Sequence, residues 1–274
     1  MTVIARALSR ATQRLGATSD TPRLDAELLM AAALGIGRDR LILDPPNLAL
    51  PAAFLDMVER RGAGEPVAYI TGQRAFWTID LEVGPGALIP RPDSETLIVA
   101  AVEHFAGTRG PARILDLGTG PGTLLLAALD EWPQATGLGV DVSLGALAYA
   151  HRNAARLGLA DRATFANGDW AAGIGERFDL ILCNPPYVAD DAQTGPGVAA
   201  FEPAEALFAG ADGLDDYRRL APELGRLLAP GGLAAIEIGF DQADSVAALF
   251  AAVGLDSALA RDLAARPRAL LIRG

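Results

Sequence analysis

The 274-residue sequence predicts an α/β fold, a mostly parallel β-sheet with helices on both faces, preceded by a small all-α domain and a β-hairpin linker. Three observations predict it. Residues 1–71 carry only helical patterns, a β-rich stretch follows them, and after Ser94 short apolar runs alternate with helical patterns. The alternation indicates a parallel sheet, because a helix must carry the chain back before the next parallel strand can begin.

The helical domain is predicted over residues 1–71. Its first helix, Met1 to Gly16, places apolar residues at helical intervals around its arginines. Thr21 is the candidate N-cap of a second helix, with Pro22 at the first helical position and Gly35 after the last turn. Four residues are expected to share one face of this second helix, namely Leu24, Leu28, Ala31 and Ala32.

Residues 72–95 are predicted to link the two domains. Aromatic and aliphatic residues alternate in part from Phe76 to Val83, and Gly84-Pro85-Gly86 ends the stretch, which is typical of a β-hairpin. A segment stiffened by two prolines, Leu88 to Pro92, follows it. Within the helical domain, a loop is predicted at Asp44-Pro45-Pro46-Asn47.

The third region, residues 96–274, carries the predicted sheet. Its candidate strands are Arg113–Leu117, Thr136–Val140, Ala163–Ala166, Leu180–Cys183 and Leu233–Ile238. The helical stretches between them include Leu124–Asp130, Leu144–Leu157 and Tyr217–Leu228. The last two apolar segments, expected to form a final helix and an edge strand, are Ser245–Val253 and Ala269–Ile272.

Composition limits the classes of function. Thirty-four acidic and 23 basic residues give a formal net charge of −11, which disfavours a nucleic-acid partner because such proteins usually present a basic face to phosphates. No apolar run approaches the roughly 18 residues that a membrane span needs, so no membrane partner is expected. Cys183 is the only cysteine, which indicates a reducing, cytoplasmic location. With no metal-like neighbourhood at His104 or His151, no metal site is expected.

A glycine-rich turn follows the first predicted strand. Gly118-Thr119-Gly120-Pro121-Gly122 would let a ligand lie against main-chain N–H groups, although tight strand–helix turns also use glycine for structural reasons alone. A dinucleotide fingerprint would require glycine or alanine at the position of Thr123, so a nicotinamide oxidoreductase is disfavoured. The G-x-G-x-G spacing after Asp116 resembles the first motif of class I methyltransferases.

Two later strand ends supply further candidates for a cofactor site. Asp141 follows the second strand, where a carboxylate can accept hydrogen bonds from both hydroxyls of a ribose. The alternative is an N-cap for the next helix, for which Ser143 is also available. After the third strand, Asp169 could accept from an adenine amine and Trp170 could lie against the ring, or the two could form an Asx-turn beside a packing tryptophan.

The segment Asn184-Pro185-Pro186-Tyr187 follows the fourth strand. Consecutive prolines force an extended exit and remove two N–H donors, so the Asn184 side-chain oxygen and the Pro185 carbonyl remain as acceptors. With the Tyr187 ring as a flat wall, they suit a planar NH2 group whose nitrogen faces a methyl donor. The alternative is a rigid turn with a packing tyrosine. Ligands bind at the carboxyl ends of strands in such sheets, which favours the functional interpretation.

Several segments together resemble one family: Glu65 to Gly72, Phe76-Trp77, Leu88 to Glu95, Asp116 to Gly122, Gly168 to Trp170, Asn184 to Tyr187, and Glu202-Pro203 through Asp212-Gly213-Leu214. They are similar to the release factor glutamine N5-methyltransferases, and the resemblance spans nearly the whole chain. It implies a class I methyltransferase, Rossmann-like fold with a helical substrate-recognition domain. It also implies methyl transfer from S-adenosylmethionine to the side-chain amide nitrogen of the glutamine in the Gly-Gly-Gln loop of peptide chain release factors.

The resemblance also assigns site residues. The residues implied to contact the cofactor are Gly118, Thr119, Gly120, Pro121, Gly122, Asp141, Trp170 and Asn184. The residues implied to hold the glutamine are Asn184, Pro185, Pro186 and Tyr187, with Asn184, Pro185 and Tyr187 as the catalytic candidates. The chain departs from the family at Ala75, where glutamate is common, and at Ala265 and Pro267, where glycine and aspartate are usual.

The partner is therefore expected to be a release factor, bound by a monomer. Three other functions stay open from the sequence. A ribosomal-protein glutamine methyltransferase and a nucleic-acid amino methyltransferase both share the Asn184 to Tyr187 motif. A non-catalytic module that senses the cofactor is the third, although binding alone requires no amide clamp.

Overall fold

The computed structural model describes residues 2–44, 48–195 and 197–274. The loop predicted at Asp44 to Asn47 lies outside the described residues except for Asp44. Contacts divide the chain into two compact units, Met1–Gln73 with Gln193–Glu202, and Arg74–Ala192 with Pro203–Gly274. The segment Gln193–Glu202 thus groups with the helical unit, although it lies far along the chain. The three domain boundaries given above stay a prediction.

The described helices are bounded as follows: α1 Val3–Leu15, α2 Pro22–Leu34, α3 Arg38–Leu43, α4 Ala52–Gly62, α5 Val67–Thr71, α6 Glu95–His104, α7 Thr123–Glu131, α8 Leu144–Arg156, α9 Val198–Phe201, α10 Asp215–Leu227 and α11 Ala243–Ala252. The described strands are β1 Gln73–Phe76, β2 Ile79–Glu82, β3 Arg113–Leu117, β4 Thr136–Asp141, β5 Ala163–Asn167, β6 Phe178–Cys183, β7 Leu228–Glu237, β8 Ser257–Arg261 and β9 Pro267–Arg273. No helix among the described residues is long and apolar enough to cross a membrane.

The first unit is a set of helices around its own apolar core. Leu8 and Leu15 of α1 pack with Leu29 and Met30 of α2 and with Phe54 of α4. The predicted N-terminal helix is confirmed, and its apolar residues are the buried ones because they recur at helical spacing.

The face predicted for α2 is wrong in part. Ala31 is buried and Leu28 is half-buried, but Leu24 and Ala32 are exposed, and the buried side also carries two acids, Asp25 and Glu27. Asp25 is paired with Arg61 at 2.7 Å, and Glu27 is paired with Arg23 and Arg38. The error has a physical cause, since acids that are neutralised by arginines can occupy positions that a pattern based on hydrophobicity assigns to solvent.

The second unit begins with the predicted hairpin, in which β1 and β2 form a two-stranded sheet. Its main sheet has seven strands in the order β5-β4-β3-β6-β7-β9-β8. The strands from β5 to β7 are parallel, and β9 runs antiparallel to both of its neighbours. Successive strand residues point to opposite faces, and Ile114 and Leu115 are both fully buried, so helices cover both faces. The α/β fold expected from the sequence is confirmed.

The position predicted for the edge strand is wrong. Ala269–Ile272 lies within β9, between β7 and β8, and the edge of the sheet is β8, Ser257–Arg261. The sequence Ser-Ala-Leu-Ala-Arg of β8 is largely exposed, and it lacks the apolar alternation that marks a half-buried strand. An edge strand of this kind forms because its partner supplies the hydrogen bonds, which the local sequence does not reveal.

The turn between β8 and β9 generates a testable prediction. Ala265 has a φ of 61°, a left-handed conformation that L-residues other than glycine rarely adopt. We expect Ala265→Gly to raise the free energy of unfolding by about 1 kcal/mol, because it relieves this strain. Urea unfolding of the two proteins measures the difference. Ala264→Gly, one residue earlier in the same exposed turn, is the control and should lower stability instead.

Candidate active site

Three parallel strands end together in the middle of the sheet. Leu117, the last residue of β3, is in register with Val140 of β4 and with Cys183 of β6. Whatever follows these strands must therefore emerge at one edge of the sheet, close together. The residues at this edge are Gly118 and Asn184, which follow β3 and β6, and Asp141, the last residue of β4.

A cavity of about 450 Å³ opens at this edge, a volume within the range of small-molecule sites. The predicted site residues that line it are Gly118, Thr119, Gly120, Pro121, Asp141, Trp170, Asn184 and Pro186. Gly122, Pro185 and Tyr187 are not among the lining residues. The structure thus brings most of the sequence-predicted residues around one space, and these three lie outside its lining.

The glycine turn between β3 and α7 has a tight geometry. Gly122 has a φ of 86°, and a Cβ on it would lie 2.8 Å from the Leu126 side chain, so glycine is required there for packing rather than for ligand contact. The Cβ of a residue at Gly120 would meet nothing within 4 Å, so this position leaves open space beside the cavity. The buried Asn153 of α8 secures the turn by donating to the Pro121 carbonyl at 3.0 Å.

Asp141 is held in place by the backbone around it. Its carboxylate accepts from the Gly120 N–H at 2.7 Å and from the Ser143 N–H at 2.8 Å. Ser143 caps α8, because its hydroxyl accepts from the Ala146 N–H at 3.2 Å, so Asp141 is released from that task. Burial raises the pKa of Asp141 above its ordinary value, and the hydrogen bonds from Ser143 and Gly120 oppose that rise.

Asp116 lies beneath the turn and is almost completely buried. Its Oδ2 accepts from the Thr119 hydroxyl at 2.6 Å and from the Leu125 N–H at 3.1 Å, which ties β3 to α7. Its Oδ1 has no hydrogen-bond partner among the described residues. Burial raises the pKa of Asp116 to about 7.

Trp170 covers the turn from the loop after β5. Its indole N–H donates to Asp216 at 3.0 Å, and a Cβ on Gly118 would lie 3.1 Å from its ring, so only glycine allows the ring this close. The Asp169 carboxylate accepts from Arg219 at 2.6 Å through both oxygens. Asp169 lines the cavity and is paired with Arg219 at the same time. Its contact with an adenine amine stays a prediction.

The Asn184 side chain has a defined orientation. Its Nδ2 donates to the hydroxyl of the buried Ser94 at 3.1 Å, which leaves Oδ1 as the end available to a ligand. Pro185 is buried, and the Tyr187 hydroxyl lies 3.5 Å from Glu237 Oε1. Burial raises the pKa of Tyr187 to about 12 and that of Glu237 to about 7. Tyr187 is therefore a neutral, half-buried wall rather than a base.

Four residues that position the site were not identified from the sequence. Glu237 is a lone carboxylate in an apolar strand, a signal that could have been used, and Ser94 follows a stiff proline segment. Gln242 donates from Nε2 to the Tyr187 carbonyl at 3.1 Å and accepts the Gly239 N–H at 3.0 Å. Neither Gln242 nor Asn153 carries a local signal, because each acts on a loop that is distant in the chain.

The charge of the cavity favours a cation. Its acidic lining residues are Asp116, Asp141, Asp169, Glu205 and Asp216, against two basic ones, Arg91 and Arg219. With Asp169 paired to Arg219, the remaining acids leave the space negative. Negative potential in a cleft with low-dielectric walls attracts a positively charged ligand.

Comparison with known proteins adds the family relationships. Residues 6–72 match the family model described as PrmC N-terminal domain, and residues 94–208 match the one described as Methyltransferase small domain. The chain is 46% identical to a release factor glutamine methyltransferase of Rhodospirillum rubrum, over 99% of this chain and 85% of the relative. It is 42% identical to one of Caulobacter vibrioides, over 98% and 95%. A methyltransferase structure from Pyrococcus furiosus has a similar fold, with a TM-score of 0.56, 20% identity, and coverage of 80% of this chain and 98% of that one.

Asp116 generates a prediction about pH. Its folded-state pKa of about 7 lies above the ordinary value of 3.8, so the folded protein holds a proton that the unfolded chain releases between these pH values. This contribution to stability is fully present below pH 3.8 and is lost as the pH rises through about 7. Asp116→Asn removes the titration. We expect the difference in the free energy of unfolding, Asp116→Asn minus wild type, to rise by about 4 kcal/mol as the pH increases between those two limits.

The measurement is chemical denaturation of both proteins at about pH 5 and about pH 8, between which roughly 2.6 kcal/mol of this change is expected. The comparison between the two proteins cancels the contribution of titrating groups that do not interact with Asp116, such as Glu237, whereas Asp141 is coupled to Asp116. A stability difference that stays constant across this range would contradict the raised pKa of the buried Asp116.

Proposed function

The chain belongs to the family of release factor glutamine methyltransferases, and from this premise we propose that it methylates the side-chain amide nitrogen of the glutamine in the Gly-Gly-Gln motif of peptide chain release factors. One observation carries the proposal. The Asn184 amide is tied at its donor end to Ser94, so its oxygen is the end presented beside the cavity. A carboxamide NH2 needs such an acceptor.

S-adenosylmethionine fits the cavity as the methyl donor. The space is large enough for a small-molecule ligand, and its acidic lining suits a cofactor that carries a sulfonium and an ammonium group. The cofactor supplies the methyl group on a positively charged sulfur. In the proposed site, the turn from Gly118 to Pro121 would hold the cofactor, Asp141 would accept from its ribose hydroxyls and Trp170 would hold its adenine.

The chemistry requires orientation more than a strong base. A carboxamide nitrogen is a poor nucleophile because its lone pair is delocalised into the carbonyl. Fixing this nitrogen opposite the methyl group can lower the barrier by on the order of 7–11 kcal/mol in favourable cases. The Asn184 oxygen and the Pro185 carbonyl would accept the two hydrogens of the substrate amide and so set its position.

The same acceptors would stabilise the transition state selectively. Positive charge grows on the amide nitrogen as the new bond forms, so hydrogen bonds from its hydrogens to Asn184 and Pro185 become stronger. The Tyr187 ring would confine the amide to one plane. With its pKa raised to about 12, the Tyr187 hydroxyl stays protonated, and the proton leaves the nitrogen late, to the polar lining or to water.

The substrate assignment is tested with purified protein and S-adenosylmethionine. We expect a release factor, and a peptide bearing its Gly-Gly-Gln loop, to gain the mass of one methylene, with fragmentation placing it on the glutamine side chain. A matched peptide with glutamate in place of glutamine lacks the NH2 group and should gain nothing. Transfer to ribosomal protein or to nucleic acid, with none to the release factor, would move the assignment to the corresponding alternative.

Two variants test whether Asn184 acts in methyl transfer and Asp141 in cofactor binding. Asn184→Ala should lower kcat by roughly 100-fold or more, since it removes an acceptor that acts in the transition state. Its dissociation constant for S-adenosylmethionine, measured by calorimetry, should change little.

Asp141→Ala is the reciprocal variant. Loss of charge-assisted hydrogen bonds should weaken cofactor binding by about tenfold or more. Transfer that persists in Asn184→Ala would refute the amide clamp, and unchanged cofactor affinity in Asp141→Ala would refute the ribose contact.

A further inference from the structure

We propose that Ser94 and Glu237 form a positioning relay that fixes which end of the Asn184 amide faces the substrate. This inference rests on the proposed function, because it concerns the same amide clamp. Neither residue lies in the Asn184 to Tyr187 motif, and they come from distant parts of the chain, after the proline-rich segment and at the end of β7.

The relay follows from the direction of its hydrogen bonds. The Ser94 oxygen accepts from Asn184 Nδ2 at 3.1 Å, so its own hydrogen must be donated elsewhere. In the proposed relay, that hydrogen bond goes to the Glu237 carboxylate, which is 1% exposed. Burial raises the pKa of this carboxylate, and the neighbouring Ser94 hydroxyl opposes the rise. In its ionised form, above its pKa of about 7, the Glu237 carboxylate can only accept, so it holds the serine in the donor role. The order of donors and acceptors from Glu237 through Ser94 to Asn184 is thereby fixed.

The orientation matters because the two ends of a carboxamide have nearly the same shape but opposite polarity. A half-turn of the Asn184 amide would present its NH2 group to the NH2 group of the substrate, and two donors would then face each other. Ser94 could favour that wrong orientation if its hydroxyl donated to Asn184. Glu237 prevents this by taking the serine hydrogen.

The same carboxylate also reaches the Tyr187 side chain, the proposed flat surface of the clamp. The Tyr187 hydroxyl lies 3.5 Å from Glu237 Oε1. The Tyr217 hydroxyl of α10 donates to the Glu237 carbonyl at 2.9 Å, which anchors the end of β7. Arg268 of β9 contributes a nearby positive charge that favours the ionised form of Glu237, whereas Asp93 opposes it. In the proposed relay, one buried carboxylate in its ionised form therefore orients both the acceptor and the ring of the clamp.

The test uses the full-length protein, a Gly-Gly-Gln peptide and S-adenosylmethionine. Ser94→Ala removes the acceptor for Asn184 Nδ2, and we expect kcat to fall by about 10- to 100-fold. The KM for the cofactor and its calorimetric affinity should stay within about twofold, because binding precedes the step that the amide orients. Ser94→Thr retains a hydroxyl and should restore kcat to within about threefold of the wild type.

Glu237→Gln keeps the shape of the side chain and tests the other end of the relay. We expect it to lower kcat by about tenfold, and the double variant with Ser94→Ala should lose less than the product of the two single losses, since both act through Asn184. Glu27→Gln is the matched control. Glu27 is also buried and charged, and it is ion-paired with Arg38 in the helical unit, so its loss should leave kcat unchanged.

The outcomes separate the two proposals. If the wild type methylates the peptide and Ser94→Ala does so at the same kcat, the relay is wrong and the proposed function stands. A wild type that transfers no methyl to any release factor overturns both. If Ser94→Ala loses cofactor binding, that variant is misfolded and does not test the relay. Glu237→Gln and Ser94→Thr then provide the test, and an unchanged kcat in Glu237→Gln contradicts the relay.

Discussion

The site depends on one constraint, the common register of three parallel strands. Because Leu117 of β3 is aligned with Val140 of β4 and Cys183 of β6, the chain leaves all three strands at the same height. A shift of one residue in any pair would turn the side chains of that strand to the opposite face. The register therefore decides that the glycine turn, Asp141 and Asn184 surround one cavity. The sheet can hold this register because both of its faces are buried against helices.

The loops at these strand ends are fixed by primary amides from other elements. Asn153 reaches the Pro121 carbonyl, Asn167 donates to the Asp141 and Val142 carbonyls, and Gln242 donates to the Tyr187 carbonyl. A carboxamide carries both donors and an acceptor, so one side chain can join two loops whose backbone groups would otherwise be unpaired. Asn153 uses both ends of its amide in this way, because its oxygen also accepts from the Glu82 N–H at 2.7 Å. Rigid loops suit a reaction that depends on orientation.

The same region contains two buried carboxylates that reduce stability. Asp116 and Glu237 each have one oxygen without a hydrogen-bond partner among the described residues, and burial raises the pKa of each to about 7. A buried, incompletely paired acid costs free energy, and an apolar residue of similar size would pack there without that cost. Both acids, however, fix the donors around them: Asp116 holds the start of α7, and Glu237 holds the residues behind Asn184. The two acids thus lower the stability of the fold, but they fix the directions of the hydrogen bonds around them.

The sequence by itself determined the fold class, the order of most elements and the motifs at the strand ends. These features are local: an apolar run, a glycine turn or a pair of prolines has its effect within a few residues. Only the tertiary structure decided the buried side of α2, the place of β9 inside the sheet, and the contacts of Ser94, Glu237, Gln242 and Asn153. Each of these depends on a partner many residues away: arginines that neutralise Asp25 and Glu27, a strand that supplies hydrogen bonds, or a loop carbonyl. A local pattern shows which side chains need a partner, and only the folded chain shows where that partner lies.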